Sequence, residues 1–258
     1  MIYSPEAIDE LNEEKTRVLR RLSSLSERFI LDVANRIAKP KAREYLLEGA
    51  CRRLGVLQRS ICNVFEIFPP TRKIRLSKDE LSDIQINLHA SFVNAYGFFD
   101  NLAWVCVFEN EADSELKRGE VGLLLKKTQA YLPKSLQDAM QSEETRHWYY
   151  SYAKNFRDAL AHRIPPYVPP FQMTPDQWEM FHQLEQQVTE SMRRGELGHA
   201  HELQDHQDTI GSISAAVAHS HSDDDASPPV ALHPQMLADG NTVVMLGNAY
   251  ADSFAPAT

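Results

Sequence analysis

The sequence predicts an all-α fold, a helical bundle of long antiparallel helices with minor β or irregular structure near the C-terminus. Glycine is sparse, at 10 of 258 residues, and long glycine-free stretches favour helices over a fold with many turns. Apolar residues recur at three- and four-residue intervals in the segments between prolines, which is the spacing of one helix face. The 43% hydrophobic content is sufficient for a substantial core.

Two helices are predicted in the first 76 residues. The first begins at Ser4-Pro5, because serine caps free N–H groups and proline fits the first helical position, and it ends before Pro40. The second covers about residues 41–68 and stops at a pair of prolines. We interpret residues 1–76 as an N-terminal helical hairpin or extension.

A helical bundle is predicted for residues 77–195. Ser77 caps a long helix, and Glu80 three residues later completes a capping box. This helix includes an apolar run at 92–108, which is too short and too polar to span a membrane and is better interpreted as a buried core helix. Further helices are expected at about 114–131, 142–164 and 175–195.

Residues 196–258 are predicted to form an acidic, His-rich C-terminal extension. From residue 195 onwards the chain carries nine acidic residues and no Lys or Arg, whereas the first 194 residues hold 27 acids and 27 bases. We expect a loop or linker at 218–229 and favour a helix over a hairpin at 233–254. The overall net charge of −9 does not exclude a nucleic-acid ligand, which needs only a local basic patch.

The cysteines and the N-terminus indicate a cytoplasmic protein with no membrane association. Cys51, Cys62 and Cys106 show no motif spacing, which is typical of free thiols in a reducing compartment. The first residues have neither a basic start nor an apolar segment, so no signal peptide is predicted.

The segment that could carry chemistry is FRDALAHR, with Arg157 and His162 as the candidate catalytic residues. The sequence contains no glycine-rich phosphate loop, zinc-finger spacing, nucleophile elbow or dinucleotide fingerprint. A histidine can act as general base or acid near neutral pH, and an arginine can bind a phosphate bidentately and stabilise its developing charge. Neither role requires a metal, so we expect no metal ion or other cofactor.

The spacing of Arg157 and His162 favours a homodimer. Five residues at about 100° each separate Arg157 and His162 by roughly 140° on an intact helix, so they do not share a face. A two-fold homodimer could bring both copies into one cleft. Four further residues are expected to support the site or bind RNA, by orienting Arg157, adding positive charge or pairing with an arginine: Asp158, Arg163, Lys154 and Asp100.

Arg157, Asp158 and His162 resemble the motif of the HEPN superfamily. In that motif an Arg, usually followed by a polar residue, precedes a His by four to six residues near the end of a late helix. FRDALAHR followed by PPY is similar to the form in bacterial members, and the resemblance covers about residues 78–194. It implies a compact helical, typically dimeric domain. Many members are metal-independent ribonucleases or toxins, and others are binding or dimerisation modules.

The sequence therefore predicts a metal-independent endoribonuclease of the HEPN type, in defence or toxin–antitoxin biology, with RNA as substrate and an antitoxin or other protein as a partner. The alternative is a non-catalytic helical module that binds a nucleotide or a partner. A third possibility is a metal-binding regulator that uses the histidines of the extension. Its H-x-H pairs share a face only in a strand, because positions i and i+2 diverge by about 200° in a helix.

Overall fold

The structure is a computed structural model that describes residues 3–219 and 229–254. It confirms the all-α prediction, including minor β structure near the C-terminus. The sheet has two short antiparallel strands, β1 (Ala216–Val217) and β2 (Val230–Ala231), with Ala216 opposite Ala231.

The two predicted N-terminal helices are present, and each contains a π-helical segment. The Ser4 hydroxyl accepts a hydrogen bond from the Ala7 N–H at 3.2 Å, and Pro5 occupies the first turn, as the sequence predicts. Leu22 and Leu57 lie on the buried faces of the two helices. The bounds are Pro5–Arg28, Phe29–Val33 (π) and Ala34–Arg36 for α1, and Pro40–Glu44, Tyr45–Cys51 (π) and Arg52–Ile67 for α2.

Helix α3 (Lys78–Glu109) is the long central helix, and the predicted capping box starts it. The Ser77 hydroxyl accepts from the Glu80 N–H at 3.2 Å, and the Glu80 carboxylate accepts from the Ser77 N–H at 2.8 Å. The apolar run at 92–108 lies in the core, as expected. Within the described residues, no helix combines the length and apolar character that crossing a bilayer requires.

The helix predicted at 114–131 is wrong, and a side-chain hydrogen bond explains the difference. The Thr128 hydroxyl donates to the Glu120 carbonyl at 3.0 Å and accepts from the Gly122 N–H at 3.1 Å. It therefore satisfies backbone groups that in a helix would form backbone–backbone hydrogen bonds. Glycine also disfavours a continuous helix here. The segment contains a 3₁₀ turn, Arg118–Glu120, and the short helix α4, Lys126–Gln129.

The rest of the chain forms helices α5 to α9. Helix α5 was not predicted, whereas α6 starts after Ser142, close to the predicted start of the helix at 142–164, and ends at His162, before the proline-rich segment. The favoured helix at 233–254 is confirmed by α9. The bounds are Lys134–Gln141 (α5), Glu143–Trp148, Tyr149–Ala153 (π) and Lys154–His162 (α6), Pro175–Arg193 (α7), Leu197–Gln207 (α8) and Leu232–Asp252 (α9).

One hydrophobic core contains residues from all three segments that the sequence analysis separates. The ring of Phe29 in α1 lies 6.1 Å from that of Phe98 in α3 and 6.1 Å from that of Tyr250 in α9. Helix α9 packs along α1. The predicted extension at 196–258 thus includes a helix of the core, and α3 links this core to the motif segment of α6.

Helices α7 and α8 pack mainly against each other, and α8 carries part of the His-rich extension. His199 and His201 both lie in α8, where their side chains diverge. His221 and the acidic run at 223–225 lie outside the described residues. In the described ranges, no group of three or more His, Cys, Asp or Glu side chains is arranged to hold a metal ion.

Candidate functional site

Packing between α3 and the last segment of α6 positions the FRDALAHR motif. Phe156 stacks on Phe92 with ring centroids 4.3 Å apart, and both side chains are buried. Ala159, one turn later, is also buried against the bundle. Since Phe156 and Ala159 face inward, the neighbouring Arg157 is directed to the side of the helix.

Arg157 is held by an aromatic ring and a carboxylate. Its guanidinium carbon lies 5.0 Å from the centroid of the Tyr96 ring, which is cation–π geometry. Its Nη1 donates to Asp158 Oδ1 at 2.8 Å, and this hydrogen bond raises the pKa of Arg157. The side chain remains 44% exposed. The guanidinium of Arg157 is therefore fixed in orientation and still accessible to an anion.

The predicted supporting residues Asp158 and Lys154 lie beside Arg157. Lys154 Nζ is 3.2 Å from Asp158 Oδ2, so this carboxylate pairs with two cations. Burial tends to raise the pKa of Asp158, but the hydrogen bonds from Arg157 and Lys154 outweigh it and lower the pKa. Asp158 is therefore ionised at neutral pH and orients Arg157, as the sequence analysis expected.

His162 and Arg163 stand apart from Arg157 within one chain. His162 is the last residue of α6 and is exposed, and the Arg163 N–H donates to the Ala159 carbonyl at 3.0 Å, which keeps the last turn helical. The helix is thus intact between Arg157 and His162, and their directions differ by roughly 140°. The structure does not bring the two candidate catalytic side chains together in a single copy.

Arg157 borders a cavity of about 350 Å³ between α2, α3, α6 and the loop after α3. His162 is not among the residues that line it. The lining combines aromatic rings with three arginines and one carboxylate. These aromatic and charged residues are Tyr45, Phe99, Tyr96, Trp104, Trp148, Tyr149, Arg53, Arg118, Arg157 and Asp100.

Asp100 lies in this cavity between two arginines. Burial raises the pKa of Asp100 to about 6, although the charges of Arg157 and Arg53 act in the opposite direction. The expected pairing of Asp100 with an arginine is not seen as an ion pair among the described residues. Tyr96 and Tyr149, whose hydroxyls are 2.9 Å apart, form the adjoining wall. Burial raises the pKa of both tyrosines, which stay neutral at physiological pH.

Arg53 and Tyr96 are site residues that were not predicted, because no local sequence pattern marks either of them. Arg53 Nε donates to Asn101 Oδ1 at 2.7 Å and Nη1 to Asn94 Oδ1 at 3.2 Å, so the guanidinium crosses from α2 to α3. One signal is present: Asn94 and Asn101 are seven residues apart on one face of α3, within the apolar run at 92–108. Amides at helical spacing within an apolar run indicate a polar partner.

Comparison of this chain with models of protein families, with curated proteins and with solved structures gave no match.

Proposed function

We propose that this protein binds RNA at the surface that carries Arg157 and, as a cytoplasmic homodimer, cleaves it without a metal ion. The observation that carries the proposal is the guanidinium of Arg157, which Asp158 and Tyr96 orient at the edge of a cavity while it stays partly exposed. Such a group can bind a phosphodiester and stabilise the charge that develops on its oxygens.

The chemistry that fits these residues is internal transesterification. A neutral imidazole removes the proton of the RNA 2′-hydroxyl, and the 2′-oxygen attacks the adjacent phosphorus. The bond from phosphorus to the 5′-oxygen breaks, and a protonated imidazole supplies a proton to that oxygen. The products are a 2′,3′-cyclic phosphate and a 5′-hydroxyl. Two histidines are required in one turnover, and a homodimer provides His162 twice.

Exposed apolar residues on α3 support the dimer. Ile86 and Val93 lie seven residues apart on α3, with 65% and 45% of each residue exposed. Val93 is three residues before Tyr96, so it lies on the helix face next to the ring that carries Arg157. Burial of this surface by a second copy would place Arg157 and His162 of both copies near one two-fold axis. In a toxin–antitoxin or defence system, a protein partner would act by covering the same surface.

Cleavage is tested with purified protein and single-stranded RNA in EDTA. We expect products with 2′,3′-cyclic phosphate ends, and a loss of at least about 100-fold in rate for both Arg157→Ala and His162→Ala. Arg194 and His199 have the same spacing and are exposed, at the end of α7 and in α8, so Arg194→Ala and His199→Ala are controls that should keep full activity. Unchanged cleavage by the Arg157→Ala/His162→Ala double variant would overturn the proposal.

A second candidate, a non-catalytic module that binds a nucleotide or RNA, is favoured by one specific observation. His162 does not line the cavity that Arg157 borders. This candidate predicts that RNA binds but stays intact in EDTA and that Arg157→Ala weakens binding while His162→Ala does not. The two candidates are thus separated by the effect of His162→Ala and by the presence of cyclic phosphate ends.

A further inference from the structure

The cavity contains a carboxylate that the cleavage reaction does not use. Asp100 lines the cavity, and it makes neither a hydrogen bond nor an ion pair with the residues at 3–219 and 229–254. Asp100 is partly exposed, and its oxygens are accessible from the cavity. A small molecule that enters this space therefore meets a carboxylate whose hydrogen-bond acceptors the described residues do not use.

Arg53 supplies the complementary group. The amide oxygens of Asn94 and Asn101 hold its Nη1 and Nε, and because they are neutral they leave its positive charge in place. Its Nη2 has no hydrogen bond to the part of the chain that the structure describes. A Cβ atom at Gly97 would lie 2.5 Å from the guanidinium, so the glycine lets Arg53 lie directly against the α3 backbone. The fork is held rigidly with donors remaining for a ligand.

The walls of the cavity fit a flat ring. Tyr96 and Tyr149 lie on one side, and Trp104 belongs to an aromatic cluster with Tyr45, with ring centroids 6.1 Å apart. Aromatic side chains stack on unpaired nucleobases. A volume of about 350 Å³ is at the lower end of the range for small-molecule sites, roughly 300–1,000 Å³, and suits one nucleotide.

We infer that Asp100 and Arg53 make this cavity specific for a guanine base, with the attached phosphate at Arg157. Guanine presents two adjacent donors, N1–H and the N2 amine, which match the two oxygens of a carboxylate. It presents two acceptors, O6 and N7, which match a guanidinium fork. Adenine has an amine where guanine has O6, so its donor would face the donors of Arg53. The inference rests on the proposed function for the position of the phosphate.

The orientation of a nucleotide in the cavity follows from the exposure of the residues that line it. Arg157 and Arg118 lie at the exposed edge of the cavity, where a phosphate remains partly hydrated. Asp100 and Arg53 are less exposed and face the interior, where an uncharged base avoids the cost of burying a phosphate. The same chemistry could come from a free guanine nucleotide or from an unpaired guanosine within RNA.

Binding is tested by calorimetry of the full-length protein with GMP and with AMP at pH 7.5 in EDTA. We expect GMP to bind about tenfold or more tightly than AMP. Asp100→Asn keeps the shape but replaces one acceptor with a donor, and it should remove the preference for GMP. Arg53→Lys keeps the charge without the fork and should weaken GMP about tenfold with little effect on AMP. Asp83→Asn, an exposed acid on the same helix, is the matched control and should behave as wild type.

The pH dependence gives a second readout. The charged and titratable groups that line the cavity with Asp100 come from α2, α3, α6 and the loop after α3: Tyr45, Arg53, Tyr96, Tyr149, Arg157 and Arg118. Ionised Asp100 is the acceptor, and its pKa is about 6. The affinity for guanosine, which has no phosphate that titrates in this range, should therefore be constant above pH 7 and fall about tenfold for each pH unit below 6, whereas Asp100→Asn should abolish this dependence.

The source of the base is resolved with a short single-stranded RNA that carries one guanosine, compared with the same RNA carrying adenosine. Tighter binding of the guanosine RNA than of GMP assigns the cavity to RNA, and the reverse assigns it to a free nucleotide. Equal affinity for GMP and AMP, no GMP binding, or a GMP preference that survives Asp100→Asn would overturn the inference. Cleavage without a guanine preference contradicts the inference alone, and a guanine preference without cleavage contradicts the ribonuclease proposal alone.

Discussion

Asp239 in α9 shows how one buried carboxyl can make stability depend on pH. Its Oδ1 accepts hydrogen bonds from Trp148 Nε1 in α6 and from Gln235 Nε2, each at 2.8 Å. Its Oδ2 is buried without a hydrogen-bond partner among the described residues. Burial raises the pKa of Asp239 to about 7, although the two donors favour the ionised form. The native state therefore retains a proton that the unfolded chain releases.

We expect the contribution of Asp239 to stability to fall as pH rises from about 4 to about 7. Over this range the unfolded chain binds fewer protons at this site than the native state, so the free energy of unfolding decreases with pH. The change is on the order of 3 kcal/mol, since a tenfold change in proton affinity is worth about 1.4 kcal/mol. Urea unfolding of wild type and Asp239→Asn at pH 4 to 8 measures it.

His233 changes the pH dependence of stability in the opposite direction, so its effect must be distinguished from that of Asp239. Burial lowers the pKa of His233 to about 4, so its contribution to stability increases as pH rises from about 4 to 6.5. Because His233 is present in both proteins, it cancels in the difference between wild type and Asp239→Asn. If this difference does not change with pH, Asp239 does not titrate as described.

At the scale of elements, two glycines distinguish close helix packing from an open helix surface. A Cβ atom at Gly247 of α9 would lie 2.5 Å from Leu25 Cδ2 in α1, whereas nothing lies within 4 Å of a Cβ atom at Gly55 of α2. Gly247→Ala should therefore destabilise the protein by about 1–3 kcal/mol through overpacking. Gly55→Ala should stabilise it by about 0.5–1 kcal/mol, because alanine is the better helix former.

Thermal and urea unfolding of the two alanine variants measures both effects. The same substitution is made in two helices, so a change in helix propensity alone would give the same sign at both positions. Opposite signs indicate that Gly247 provides space for the contact between α1 and α9. Equal stabilisation by both variants would show that Leu25 moves aside without cost.

The elements that the sequence predicts correctly are those with strong local signals. Ser4, Ser77 and the prolines mark helix ends through backbone chemistry that involves only neighbouring residues. The helix predicted at 114–131 fails because Thr128 binds backbone groups six and eight residues away, and such a bond has no periodic signal. The prediction of helix α9 is confirmed, but no local pattern in this segment indicates that the helix belongs to the core.

Only part of the site can be predicted from the sequence, for a related reason. The motif places Arg157, Asp158 and His162 within six consecutive residues, so local spacing reveals them. Arg53 reaches the same cavity from a helix 104 positions earlier in the chain, and only the packing of α2 on α3 brings it there. Long-range contacts of this kind follow from the fold and not from a motif.

At the scale of the whole molecule, the cavity and the proposed cleavage centre depend on different assemblies. The walls of the cavity all come from one chain. The cleavage centre needs a second copy, because α6 directs Arg157 and His162 to different sides. A change that separates the two copies should therefore remove cleavage and leave nucleotide binding intact.

Val93→Glu tests this separation. Val93 is exposed on α3 beside Tyr96, and a carboxylate buried at a two-fold interface would face its own copy and lack a counterion. We expect light scattering to show a dimer for wild type and a monomer for Val93→Glu, with RNA cleavage reduced at least about 100-fold and GMP affinity unchanged. Leu31→Glu, at an exposed apolar residue of α1, is the matched control and should stay dimeric. A monomeric variant with full cleavage would show that one copy suffices, and a wild-type monomer would remove the shared centre altogether.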